Sequence, residues 1–128
     1  MKNCYRLIAL TAIFIITTAF LCSAKEDFSR KYRIIRMPQG KTFTLDLESN
    51  PSTGFSWQLI KISDKMVVKL IDKKYIPSAE NIIGSKETER WRFKTLKKGK
   101  AIIIFEYRRD WEKDSPAQGR QEYTIFVK

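Results

Sequence analysis

Most of the chain after residue 30 alternates between apolar and polar positions with a period of two, the pattern of strands that bury one face. Residues 42–48 show it most clearly, with Phe43, Leu45 and Leu47 on one side. Residues 101–107 are nearly all apolar, which is typical of a central strand covered on both faces. The other predicted strands are residues 32–37, 55–62, 66–75, 88–96 and 120–128.

Turn-forming residues separate these segments, and nothing after the N-terminal region has the period of a helix. Tight turns are predicted at residues 38–40 and 64–65, and a hairpin turn at residues 97–100. We therefore predict an all-β protein, an immunoglobulin-like antiparallel β-sandwich of about seven to eight strands without a disulfide. If successive strands alternate in direction, the connections at residues 50–54, 78–87 and 108–119 meet at one end.

The first 24 residues have the organisation of a secretory signal. Lys2 and Arg6 precede an uncharged apolar run, residues 7–21, and small residues follow it up to Ala24. We predict a signal peptide at residues 1–24 and one domain at residues 25–128, with an uncleaved membrane anchor as the alternative. The predicted destination is the extracellular space or the lumen of a lysosome or phagosome.

Cysteine and histidine usage excludes most catalytic chemistry. Both cysteines, Cys4 and Cys22, lie in the predicted signal, and the chain has no histidine. A mature domain without either residue type has no cysteine–histidine pair, no serine–histidine triad and no thiolate or imidazole metal site. We therefore predict a binding protein that is not an enzyme and uses no cofactor or metal.

The chain is strongly basic, with a formal net charge of +11 that falls to +9 when Lys2 and Arg6 are removed. Such an excess favours an acidic partner, an anionic surface or nucleic acid. The secretory signal argues against nucleic acid, and the positive residues are scattered through strands and turns. A well-solvated surface explains the charge equally well.

Two predicted loops carry residue types suited to binding. In residues 50–54, Pro51 fixes φ and Gly54 permits a positive φ, so the loop is stiff. A stiff loop suits insertion into a cleft, although an ordinary strand connection has the same chemistry. Trp111 lies in the third loop without apolar alternation around it, so it is a candidate binding anchor. The alternative is that Trp111 folds back over the edge of the sandwich.

Three motifs, in this order along the chain, resemble the chagasin family of inhibitors of papain-like cysteine peptidases. Residues 50–54 match its Asn-Pro-Ser/Thr-Thr-Gly loop before an aromatic strand, Gly84 matches its glycine-rich loop, and residues 107–111 match its Tyr-x-Arg-Pro-Trp segment. Lys86 and Glu87 stand where the family has glycine, and Asp110 stands where it has proline. We expect a stiffer second loop and a less rigid third loop from these departures.

The resemblance implies a reversible, tight-binding inhibitor that closes the active-site cleft of papain-like, cathepsin-like cysteine peptidases with three loops. It implies a monomer that binds neither nucleic acid nor, once the signal is cleaved, a membrane. Thr53 would lie nearest the catalytic cysteine of the peptidase. Trp111 would pack on the primed side of the cleft, beside Arg109, which would pair with carboxylates there. The positive charge would speed the encounter with an acidic peptidase. The implied contact residues are Asn50, Pro51, Ser52, Thr53 and Gly54 in the first loop, Ile82, Ile83, Gly84, Ser85 and Lys86 in the second, and Arg108, Arg109, Asp110 and Trp111 in the third.

Two other functions fit the same composition. A secreted immunoglobulin-like adhesion or recognition module would use the same loops to bind a different partner. A basic protein that binds nucleic acid or an anionic surface would use the excess charge instead, and its binding would collapse with added salt.

Overall fold

A computed structural model describes residues 30–78, 85–112 and 114–128. The predicted signal peptide, residues 1–24, lies outside these described residues. The strands are β1 (Arg30–Met37), β2 (Thr42–Ser49), β3 (Phe55–Ile62), β4 (Val68–Ile76), β5 (Glu87–Thr95), β6 (Gly99–Arg109) and β7 (Gly119–Val127). In the described part of the chain, the one helical element is a single 3-10 turn, Pro51–Thr53, and no helix there has the length and apolar character needed to cross a membrane.

The seven strands form two sheets, one with the order β1-β7-β6-β3 and the other with the order β2-β5-β4. The predicted all-β, immunoglobulin-like sandwich is thus confirmed. The pairing is antiparallel everywhere except between β1 and β7, which are parallel. This exception follows from the alternation of strand direction, because two odd-numbered strands run the same way and can only pair in parallel.

The side chains of the two inner faces form one hydrophobic core. Phe105 contacts Trp91, Phe93 and Tyr123 with edge-to-face ring geometry, at centroid distances of 5.0, 6.3 and 6.0 Å. This arrangement favours aromatic pairs because ring edges and faces carry opposite partial charges. The remaining buried apolar side chains around these rings belong to Leu45, Leu47, Trp57, Val67, Val68, Ala101, Ile103, Ile125 and Val127.

Two predicted details of the strand connections are wrong. Residues 97–100 do not form a hairpin turn, because β5 and β6 lie in different sheets and their connection crosses between them. The predicted strand at residues 66–75 begins later, at Val68, because Asp64 holds residues 64–67 in a turn. In that turn the Oδ1 atom of Asp64 accepts a hydrogen bond from the backbone of Met66 at 2.8 Å.

Candidate functional site

The three connections predicted to share one end of the sandwich do so. We call this end, of which the structure describes residues 50–54, 77–78, 85–86, 110–112 and 114–118, the loop rim. The strand register shows the order of its loops: Ser49, just before the first loop, is paired with Glu87, which follows the second loop. Phe55, just after the first loop, is paired with Arg109, which precedes the third. The first loop is therefore the middle one.

Each loop has a different relation to the two sheets. The second loop joins β4 to β5 within the three-stranded sheet, and the third joins β6 to β7 within the four-stranded sheet. The first loop joins β2 to β3 and so crosses from one sheet to the other. The loop rim therefore spans the full thickness of the sandwich.

The first loop is closed by hydrogen bonds of its own. The backbone oxygen of Asn50 accepts from the backbone N–H of Thr53 at 3.1 Å and from its hydroxyl at 2.6 Å. Pro51 opens the turn, and Gly54 ends it with a φ of +78°, a conformation that glycine adopts without strain. The hydroxyl of Ser52 donates to Oδ1 of Asn50 at 2.5 Å. These bonds fix the loop before any partner arrives.

A cluster of aromatic side chains supports the first loop from below. Tyr107 stacks on Phe55 at 5.4 Å and lies 5.0 Å from Trp57 between ring centroids. The hydroxyl of Tyr107 accepts a hydrogen bond from the backbone N–H of Asn50 at 2.9 Å. Tyr107 thus joins β6 to the start of the loop, a role that the sequence analysis did not assign to it.

Beneath this cluster lies an ion pair that the sequence analysis also missed. Glu89 is fully buried; its Oε1 accepts from the backbone N–H of Trp57 at 3.0 Å, and its Oε2 lies 2.7 Å from Nζ of Lys73. Burial lowers the pKa of Lys73, but the hydrogen bonds to Glu89 and Tyr75 outweigh it, and the pKa lies above its ordinary value of 10.5. Through the bond from Glu89 to Trp57, the pair connects both sheets below the first loop.

The third loop lies directly against the first. The indole of Trp111 covers Gly54 so closely that a Cβ atom there would lie 2.3 Å from Cη2 of the ring. Trp111 nevertheless stays 69% exposed, so it does not fold back over the sandwich edge. Its free surface is available at the rim.

Arg109 holds the two loops together. Its guanidinium lies 4.5 Å from the centre of the Phe55 ring, while its Nε donates to the backbone oxygen of Thr53 at 3.3 Å. Its Nη1 donates to Oε1 of Glu112 at 2.9 Å. The side chain that we expected to pair with a partner's carboxylates is thus engaged within the protein.

Asp110 gives the third loop a further attachment. Its Oδ1 accepts hydrogen bonds from Nε2 of Gln58 at 2.5 Å and from the hydroxyl of Ser56 at 3.5 Å, both on β3. We expected a less rigid loop here because a proline is missing. These side-chain hydrogen bonds offset that loss.

The second loop is described only at its base. Ser78 and Ser85 approach within 2.5 Å through their hydroxyls, and Nζ of Lys86 lies 3.2 Å from a carboxylate oxygen of Glu48 on β2. The predicted contact residues Ile82, Ile83 and Gly84 lie outside the described residues.

The charges around the loop rim are largely balanced. Arg108 and Arg120 both pair with Glu106, at 2.7 and 3.2 Å, in addition to the pairs of Lys86 and Arg109. The excess positive charge of the described residues therefore lies elsewhere. Within the described residues no group of three or more potential ligand side chains could hold a metal ion.

Comparisons with known proteins agree with this architecture. Chagasin from Trypanosoma cruzi is 26% identical over 92 residues, which cover 70% of this chain and 82% of chagasin. The cysteine protease inhibitor EhICP2 from Entamoeba histolytica has a similar fold, with a TM-score of 0.64 at 20% identity over 77% of this chain and 97% of its own. PbICP-C, solved in complex with falcipain-2, has a TM-score of 0.53 at 24% identity over 77% of this chain and 87% of its own.

The model of the family described as "Chagasin family peptidase inhibitor I42" matches residues 36–125. This range includes all three loops of the rim and reaches from the end of β1 into β7. Members of the family inhibit peptidases and are not themselves enzymes. The protein belongs to the chagasin family of peptidase inhibitors.

Proposed function

We propose that this protein is a reversible, tight-binding inhibitor of papain-like cysteine peptidases that closes the active-site cleft with its three loops. The observation that carries the proposal is the prefolded first loop, flanked by the other two at the same end of a sandwich of this family. One structural relative is described as a cysteine protease inhibitor, and another was solved bound to falcipain-2.

The geometry of the first loop explains how a peptidase could bind it without cleaving it. Peptidases of this class hold a substrate extended, whereas Pro51–Thr53 form a closed 3-10 turn with internal hydrogen bonds. Thr53 is exposed at this turn and would lie nearest the catalytic cysteine. Inhibition then requires no covalent step, and the complex is reversible.

Trp111 would supply the main apolar contact on the primed side of the cleft. Large aromatic side chains that are exposed before binding and desolvated afterwards dominate the energy of many interfaces. Because the indole already lies on Gly54, little side-chain freedom is lost when it docks. Arg109 contributes by holding the first and third loops in a fixed position relative to each other.

The second loop would reach the non-primed side with Ile82, Ile83 and Gly84, and Ser85 and Lys86 would follow. Its base is anchored between Ser78 and Ser85, which fixes where the loop leaves the sandwich. A secretory signal at residues 1–24 would deliver the domain to the extracellular space or to a lysosomal or phagosomal lumen, where such peptidases act.

The test is a titration of papain-like peptidases with the domain of residues 25–128. Residues 25–128 contain all seven strands and the hydrophobic core. In the structural comparison, 77% of this chain covers 97% of the solved inhibitor EhICP2. We expect activity to fall linearly to zero at equal molar amounts and to return on dilution, with the inhibitor uncleaved.

A matched pair of variants links inhibition to the first loop. Thr53→Arg places a long charged side chain at the loop and should abolish inhibition, whereas Thr44→Arg makes the same change on the exposed face of β2 and should not. If the wild-type domain inhibits none of a panel of papain-like enzymes, the proposal is wrong. An adhesion module would instead bind its partner without any effect on peptidase activity.

A further inference from the structure

Part of the positive charge that is scattered in the sequence gathers at the end of the sandwich opposite the loop rim. We call it the lysine end: residues 38–41, 63–67 and 96–98, with Lys128. Its exposed lysines are Lys41, Lys65, Lys97, Lys98 and Lys128, and Lys100 follows at the start of β6. Within this end, Asp64 is the one acidic side chain, and it accepts a hydrogen bond from the backbone of Met66.

Backbone hydrogen bonds join these turns into one continuous surface. Gly40 donates to Thr95 at 3.0 Å, and Leu96 donates to Val67 at 2.8 Å. Gln39 donates to Lys128 at 3.1 Å, which brings the last residue of the chain against the first turn. The lysines are therefore neighbours on a fixed scaffold, although they are far apart in the sequence.

Two apolar side chains project from the same surface. Met66 is 70% exposed and Leu96 is 40% exposed, and they belong to turns that are hydrogen-bonded to one another. Exposed apolar side chains surrounded by lysines match the interface of an anionic bilayer, where the lysines meet the headgroups and the apolar tips enter the acyl boundary. A sulfated polysaccharide would use the lysines and leave Met66 and Leu96 in water.

We propose that the lysine end docks on anionic lipid membranes and leaves the loop rim facing away from the bilayer. The strands between the two ends have eight to eleven residues, which separates the ends by roughly 26–36 Å. An inhibitor held in this way would keep its loops free to bind a peptidase near the membrane surface. The resemblance to the chagasin family implied no membrane contact after signal cleavage, whereas the basic composition left binding to an anionic surface open.

Vesicle co-sedimentation tests this, with the domain of residues 25–128 and vesicles of phosphatidylcholine with or without phosphatidylserine. We expect binding only to the anionic vesicles and a steady loss as salt is added. Because a lysine close to such a surface changes binding roughly fivefold, Lys97→Glu with Lys98→Glu should weaken it by about 25-fold or more. Lys31→Glu with Lys74→Glu lowers the net charge equally, away from the lysine end, and should weaken it less than about fivefold.

A second pair of variants tests the apolar contact. Met66→Ser should weaken vesicle binding about tenfold, whereas Ile71→Ser, at an apolar position on β4 that is 46% exposed, should leave it unchanged. Peptidase inhibition should be the same in all these variants, so the result does not depend on the proposed function. Absence of binding to anionic vesicles, equal loss in the two lysine pairs, or binding to heparin but not to vesicles would each overturn the proposal.

Discussion

The contact between Trp111 and Gly54 predicts that alanine at position 54 damages inhibition more than stability. A Cβ atom there would lie 2.3 Å from the indole, whereas carbon atoms in contact are normally about 3.5–4.0 Å apart. The ring must therefore retreat by more than about 1 Å from its position beside the first loop. Because Arg109 bridges the same two loops, the displacement affects both.

Two separate effects follow, and their magnitudes differ. An alanine held at a φ of +78° costs about 1 kcal/mol of folding free energy, which lowers the melting temperature by about 4–8 °C in a domain of this size. Displacement of an anchoring tryptophan costs about 1–3 kcal/mol of binding free energy, which raises the inhibition constant by about 5–150-fold.

Gly40→Ala is the matched control. Gly40 has nearly the same backbone conformation, with a φ of +75°, but nothing lies within 4 Å of a Cβ atom there, and the residue is at the opposite end of the sandwich. Thermal unfolding and inhibition titrations of both variants separate the effects. We expect similar losses of stability and a loss of inhibition only in Gly54→Ala.

Inhibition of wild-type strength in Gly54→Ala, or an equal loss of inhibition in Gly40→Ala, would refute this prediction. A double-mutant cycle makes the test sharper. In a Trp111→Ala background, Gly54→Ala should add little further loss of inhibition, because the side chain that it displaces is already gone.

Three further predictions concern single side chains. Trp111→Ala should weaken inhibition by about 1–3 kcal/mol with little change in the melting temperature, because the indole is mostly exposed. Tyr107→Phe removes the acceptor for the backbone N–H of Asn50 and keeps the ring stacking, so it should cost about 1 kcal/mol of stability and also weaken inhibition. Hydrogen bonds from Arg90 hold the pKa of Asp46 below its ordinary value of 3.8, although burial acts in the opposite direction. The wild type should therefore lose stability as the pH falls below 3.8, and Asp46→Asn should lose less.

Each of these has a control or a contrary result. Tyr123→Phe removes a hydroxyl whose hydrogen bond, to Gln121, lies within β7, and should leave inhibition intact. Inhibition of wild-type strength in Trp111→Ala would mean that the third loop does not contribute to binding the peptidase. A melting temperature that falls equally with acid in Asp46→Asn and the wild type would show that other carboxylates control the acid response.

The strands could be predicted from the sequence because each strand buries one face. Apolar residues therefore recur at every second position, as Leu45 and Leu47 do. The same period also puts Glu89 on the inward face with Trp91 and Phe93, a signal that could have revealed the buried carboxylate. Partners of strands were harder to predict. Alternation fixes strand direction but not the sheet to which a strand belongs, so the crossing at residues 97–100 looked like a hairpin.

The candidate site was predictable where local chemistry defines it and not where contacts between distant residues do. Pro51 and Gly54 specify their turn from the sequence alone, and Gly54 has the expected positive φ. The internal use of Arg109 depends on strand pairing that places it against Phe55. The gathering of lysines at one end likewise appears only when three turns and the end of β7 are brought together.

Because the outer two loops stand on different sheets, the distance between them is set by the interior of the protein. Facing sheets lie about 10 Å apart, a spacing determined by the side chains between them. Substitutions of buried residues such as Trp57 or Glu89 would change the distance between the second and third loops, while every residue that contacts a partner stayed the same. Under the proposed function, specificity for one peptidase over another would then change through substitutions in the core, outside the interface.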